Sequence, residues 1–179
     1  MNTPILVTAW RRVEKLEKLL LAIKANKPKK IYVACDGPRK NNPTDKYFIN
    51  QVKKTIDDLI DWDCEIHKLY NKENLGCRGA MINGIDWFFA HESEGIILED
   101  DCIPNKDFIP YCSKLLKKYQ KNHKVWNISG TNLQNGINRG DGSYYLSKYF
   151  MCWGWATWRD RWLKFDSHLD SWGKAREVL

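Results

Sequence analysis

The chain has 179 residues, 43% of them hydrophobic, which suits one ordinary domain with its own core. With 28% charged residues, six prolines and a mean hydropathy of −0.58, the composition excludes a disordered, collagen-like or low-complexity chain. A net charge of +7 and a pI near 9.0 invite an anionic partner, while apolar runs such as Trp87–Ala90 and Ile96–Leu98 are far shorter than the roughly 20 residues that cross a bilayer.

Pro4–Trp10 reads as a short apolar strand, and Val13, Leu16, Leu19, Leu20 and Ile23 then fall on one face of a helix over Arg12–Ala25. Lys30–Asp36 is a second strand, stopped by the turn residues Asp36, Gly37 and Pro38. A polar loop leads to a helix over Tyr47–Ile60, and Cys64–Tyr70 alternates as a third strand. After a loop over Asn71–Gly76 come a helix at Ala80–Ala90 and a buried strand at Gly95–Leu98 that runs into Glu99, Asp100 and Asp101. Phe108–Tyr119 is a further helix, Val125–Ser129 and Ser143–Tyr149 read as strands, and Trp155, Trp158 and Trp162 have the spacing of one helical stripe that packs into the core. Strands alternating with helices predict an α/β domain with a mostly parallel sheet covered on both faces. No linker or repeat divides it, and residues 1–102 form its first half and 103–179 its second.

The charge is unevenly placed. Residues 1–30 hold eight basic residues against two acids, and Lys114, Lys117, Lys118, Lys121 and Lys124 form another block. Both blocks lie on helical segments, where lysine stems cover a solvated face; the alternative is attraction to an anionic membrane or substrate. No nucleic-acid signature accompanies them. The six cysteines (35, 64, 77, 102, 112 and 152) show no C-x-x-C pair, so zinc is not expected, and with no secretion signal they are read as reduced thiols of a cytoplasmic protein.

In open α/β sheets ligands bind at the carboxyl ends of the strands, and every such end here carries polar or charged residues. Three adjacent carboxylates, Glu99, Asp100 and Asp101, close a strand that is otherwise apolar. In extended geometry Glu99 and Asp101 share one face, and a hard cation such as Mg²⁺ or Mn²⁺ would relieve their repulsion; the competing reading is a solvated loop capping the next helix. Asp36 reads either as an Asx turn or as a carboxylate that receives a base or ribose. Thr8 and Arg11 end the first strand, and Asn74, Gly76 and Arg78 open a helix where anions are favoured. Trp153, beside Gly154, stands outside the tryptophan stripe and suits stacking on a sugar ring.

Pro4–Thr8 with Arg11, Asp36-Gly37, Asn74–Arg78, Gly84–Phe89, Glu94–Cys102 and Trp153–Arg159 together resemble the bacterial GT-A-fold nucleotide-diphospho-sugar glycosyltransferases, over nearly the whole chain. The Glu-Asp-Asp run is similar to the form of the metal motif in the N-acetylglucosaminyltransferase I group. The resemblance implies a GT-A (Rossmann-like) sheet, a UDP-sugar donor, a glycan or lipid-linked acceptor, and Mn²⁺ or Mg²⁺ held by Asp101. It implies Thr8, Arg11, Asp36, Asn74, Gly76, Arg78, Glu99 and Asp100 around the nucleotide and sugar, and Trp153, Gly154 and Trp155 on the acceptor side. Asp166 fits a catalytic base better than Asp160, which stands where relatives carry a basic residue. Relatives continue into a further segment rich in Trp, Asp and His, so a non-catalytic or truncated binding module is the alternative expectation, and a nucleotidyltransferase is the alternative within enzymes. The cell location expected from this is the cytoplasm, with peripheral contact at the inner face of the membrane.

Overall fold

A computed structural model describes residues 2–137, 140–170 and 172–173. The elements are β1 (Ile5–Ala9), α1 (Val13–Lys24), β2 (Lys30–Cys35), α2 (Thr44–Leu59), β3 (Glu65–Tyr70), α3 (Gly76–His91), β4 (Glu94–Glu99), α4 (Phe108–Tyr119), β5 (Ile128–Ser129), β6 (Trp155–Trp158) and α5 (Arg159–Trp162). They build one six-stranded sheet in the order β3-β2-β1-β4-β6-β5. The first four of these are parallel, and β6 runs antiparallel to both β4 and β5.

Side-chain alternation along the strands divides the core in two. Ile5 and Val7, Ile31 and Val33, Ile96 and Leu98 face one side, where the buried stripes of α1, α2 and α4 cover them. Leu6, Tyr32 and Ile97 face the other and meet Ile85, Phe88 and Phe89 of α3. The class is therefore α/β, with helices on both faces of a mostly parallel, Rossmann-like sheet. β1 has neighbours on both sides and is buried along its whole length, as a central parallel strand should be.

Three expectations are corrected. Ser143–Tyr149 forms no strand and runs as irregular chain along the edge of a cleft. The strand expected over Val125–Ser129 shrinks to Ile128–Ser129. Trp155–Trp158 is a strand, so its two tryptophans face opposite sides of the sheet: Trp155 packs with α3, Trp158 with the α4 side, and both are buried. A short apolar run buried on both faces has no periodicity that separates it from a buried helix. Gly154, at φ +74°, turns the chain into β6 in a conformation that L side chains rarely adopt.

Candidate functional site

Strand order reverses between β1 and β4, since the connection from β1 leads to β2 on one side while β4 closes the other. The carboxyl ends of two adjacent parallel strands lie open there, the usual place for a ligand on such a sheet. Two charged clusters meet at this point. From β4 come Glu99, the last strand residue, and Asp100 and Asp101 in the turn that follows. From β1 comes Arg12, at the start of α1. Its Nη2 pairs with Asp100 Oδ1, and its Nη1 lies 2.5 Å from Asp101 Oδ2.

The three carboxylates are not equivalent. The Asp100 side chain is only 3% exposed, whereas that of Asp101 is 40% exposed and reaches the cleft. Burial pushes the Asp100 carboxyl above its ordinary value, with Arg12 pulling against it. Burial also raises the half-buried Glu99, and the Asp101 charge adds to the effect. Glu99 and Asp101 thus present oxygens to the cleft while Asp100 anchors Arg12 beneath them. Among the described residues no group of three or more His, Cys, Asp or Glu side chains is gathered as a metal site. The cation that meets the acidic run in this structure is a guanidinium.

Asp36, at the end of β2, is buried and accepts from four donors: the Gly37 amide (2.9 Å), Asn71 Nδ2 (3.2 Å), Asn74 Nδ2 (2.7 Å) and the Leu75 amide (3.0 Å). It ties the β2 and β3 ends to the entry of α3, and the acceptor capacity expected for a base or ribose is used within the chain. Asn74 also donates to the Gly37 carbonyl. Gly37 has no room for a side chain, because a Cβ there would lie 2.4 Å from the backbone of Glu73. Gly76 opens α3 at φ +73° with open space around it.

Arg11 points away from the acids. It pairs with Asp45 at 2.9 Å and lies between the rings of Trp10 and Phe48. Thr8 is buried in β1 with its methyl toward Gly84 of α3. Arg78, exposed on the first turn of α3, donates to the carbonyl of Ser167, next to the half-buried Asp166.

A cleft of about 1720 Å³ begins at Arg12, Glu99 and Asp101 and continues between α4 and the 125–154 segment. Tyr111, Trp126, Tyr145 and Trp153 supply aromatic faces, interleaved with amides such as Asn105 and Asn127. Trp153 is 57% exposed, and its carbonyl accepts from Thr131 Oγ1 at 2.9 Å. Of the residues singled out in the sequence, Glu99, Asp101, Trp153 and Gly154 line this cleft. Thr8, Arg11, Asp36, Asn74, Gly76, Arg78, Asp100, Trp155 and Asp166 do not. Trp155 is a core residue, while Arg12, Cys77 and Tyr111, to which the sequence assigns no site role, do line it.

No protein-family model and no curated protein sequence matches the chain. Among solved structures it is similar to a 4-diphosphocytidyl-2C-methyl-D-erythritol synthase from Anaerococcus prevotii, at 10% identity and TM-score 0.49, over 97% of this chain and 84% of that one. It is similar also to a UDP-glucose pyrophosphorylase in complex with UDP-glucose, at 12% identity and TM-score 0.41, over 76% and 65%. For the apo form of a UDP-glucose pyrophosphorylase the values are 11%, 0.40, 72% and 57%. This chain thus spans less than two thirds of either pyrophosphorylase structure.

Proposed function

We propose that this chain is a glycosyltransferase of the GT-A type that takes a sugar from a nucleotide-diphosphate donor, a UDP-sugar, to a glycan or lipid-linked acceptor. The observation that carries the reading is the pairing of Glu99 and Asp101, at the open ends of β1 and β4, with a long aromatic cleft that starts beside them. Indole and phenol faces interleaved with amides suit saccharide rings, whose C–H faces pack on aromatic planes while their hydroxyls take the hydrogen bonds. The donor diphosphate belongs at the charged end and the acceptor along Trp153 and Tyr111.

Hard carboxylate oxygens suit Mn²⁺ or Mg²⁺, which commonly take one or two protein carboxylates and leave the rest of the shell to phosphates and water. Asp101 would hold such an ion, with Glu99 beside it, once Arg12 releases the Asp101 oxygen. When bound, the ion would stabilise negative charge on the departing diphosphate. The chain's own part is to place the donor against the β4 end and to stack the acceptor on Trp153. Proton removal from the acceptor hydroxyl, if transfer inverts, is assigned to Asp166, which must then approach the cleft from its place beside Ser167.

A panel of nucleotide sugars with Mn²⁺ or Mg²⁺, read by thermal unfolding, tests the reading. A donor at about 100 times its Kd should stabilise the fold by about 2.7 kcal/mol, or roughly 5–10 °C in Tm for a chain of this size. No shift from any nucleotide sugar in either metal would refute the donor site. A shift without sugar transfer or release would favour the binding-module alternative.

A further inference from the structure

We infer that Arg12 is an exchangeable counter-ion: its guanidinium holds Asp101 in the empty protein, gives up that oxygen to a divalent cation, and turns the released Nη1 to the anionic group that the cation accompanies. The inference rests on the nucleotide-sugar reading only for the identity of that anion. The two halves of the guanidinium meet unlike partners. Nη2 is anchored on Asp100, whose side chain is 3% exposed and whose charge has no water to turn to. Nη1 meets Asp101, 40% exposed at the mouth of the cleft, and the Arg12 side chain is itself 52% exposed. A buried ion pair is costly to break, whereas an exposed one contributes little and exchanges readily. A cation arriving from the cleft therefore meets Asp101 and leaves Asp100 paired.

The guanidinium, pivoting on Asp100, then has one edge free. Its planar fork matches phosphate oxygens, and a lysine ammonium could not span both carboxylates in the same way. Cation and anion each remove an obstacle to the other, so their affinities should be coupled, and the coupling must be reciprocal. Three acids in a row with their own arginine are in this view a site whose negative charge Arg12 offsets in part and that opens when both ligands are present.

Mn²⁺ titration of the full chain, followed by the EPR signal of free Mn²⁺, tests this in the wild type, Arg12→Gln, Arg12→Lys and Asp101→Asn, with and without UDP. UDP's own chelation of Mn²⁺ is subtracted from protein-free titrations. Without UDP, Arg12→Gln should bind Mn²⁺ about fivefold or more tighter than the wild type, and Asp101→Asn should lose the site. UDP should tighten Mn²⁺ about tenfold in the wild type and distinctly less in Arg12→Gln. Arg12→Lys keeps a charge beside Asp100 and serves if Arg12→Gln does not fold, with an intermediate gain expected. Unchanged or weaker Mn²⁺ binding in the Arg12 variants without UDP, or no Mn²⁺ binding in any form, overturns the exchange. If UDP binds no form while the Arg12 variants still gain Mn²⁺ affinity, the exchange at Asp101 is supported and the nucleotide-sugar reading fails.

Discussion

Asp45 shows how much one covered carboxylate can organise. Its side chain is fully buried in the first turn of α2 and receives the Arg39 amide (3.0 Å), Arg39 Nε (2.8 Å), Arg39 Nη2 (3.0 Å) and Arg11 Nη1 (2.9 Å). Arg39, through its side-chain hydrogen bonds, holds the carboxyl down at about 2. The unfolded chain titrates this group near 3.9, so between the two values it binds more protons than the folded one and stability falls with falling pH. The contribution is complete above about pH 5 and is lost as pH falls through about 4 toward 2. Asp45→Asn should therefore be less stable than the wild type at pH 6, by a margin that narrows steadily toward pH 2 in urea unfolding; a margin independent of pH would contradict this. The same residues set the limit of what the sequence reveals. Arg11 and Arg12 are chain neighbours, and nothing in their spelling says that Arg11 turns to Asp45 while Arg12 meets the acids some 90 residues on. That division depends on β1 and β4 lying side by side, a tertiary fact. Asp36 was legible as a strand-end carboxylate with a turn donor at Gly37, but its other three partners, Asn71, Asn74 and Leu75, come from a segment whose approach no local pattern encodes.

At the scale of elements, β6 joins β5 to the parallel strands and α5 braces α4. Trp158 is buried under the Arg161 guanidinium, 4.2 Å above its ring, and Arg161 donates to the carbonyls of Tyr119 and Gln120 at the end of α4. Removing Trp158 leaves a large cavity and takes away the platform of that cap. Trp158→Ala should cost about 3–5 kcal/mol in urea unfolding, while Trp153→Ala, at an exposed position, should stay within about 0.5 kcal/mol. Equal losses at the two positions would contradict the placing of Trp158 in the core and Trp153 at the cleft. The central strands and long helices were readable because each carries many apolar positions at a single period. β6 was not, since four residues covered on both faces look the same in any period, and the spacing of Trp155, Trp158 and Trp162 met the helical template by coincidence. Gly154 was the available clue, as its left-handed φ belongs to a turn into a strand.

Across the whole molecule, the net charge of +7 is unevenly placed, with Glu99, Asp100 and Asp101 at the carboxyl end of β4 and a set of lysines on the solvent sides of two helices. α1 and α4 lie on the same face of the sheet, and their solvent sides expose Lys15, Lys18, Lys114, Lys117 and Lys118, with Lys121 and Lys124 just beyond α4. No helix among the described residues is long and apolar enough to cross a membrane. A basic side of this kind suits peripheral contact with an anionic bilayer, where each lysine near the surface contributes about 1 kcal/mol. A transferase with a lipid-linked acceptor would gain from it, because the cleft would be held close to the layer that carries the substrate. Vesicles containing phosphatidylserine should therefore retain the protein at low salt and neutral vesicles should not. Binding should fall steeply between about 0.1 and about 1 M salt, as the Debye length shrinks from about 10 to about 3 Å. Reversing Lys114, Lys117 and Lys121 to Glu together should weaken vesicle binding about 100-fold or more, since at least three such contributions are lost, and should leave Mn²⁺ binding at Asp101 unchanged. Retention that is flat in salt, or equal for the reversed variant, would show that the lysines only keep this side solvated, and a lipid-linked acceptor would then have to be recognised in the cleft alone.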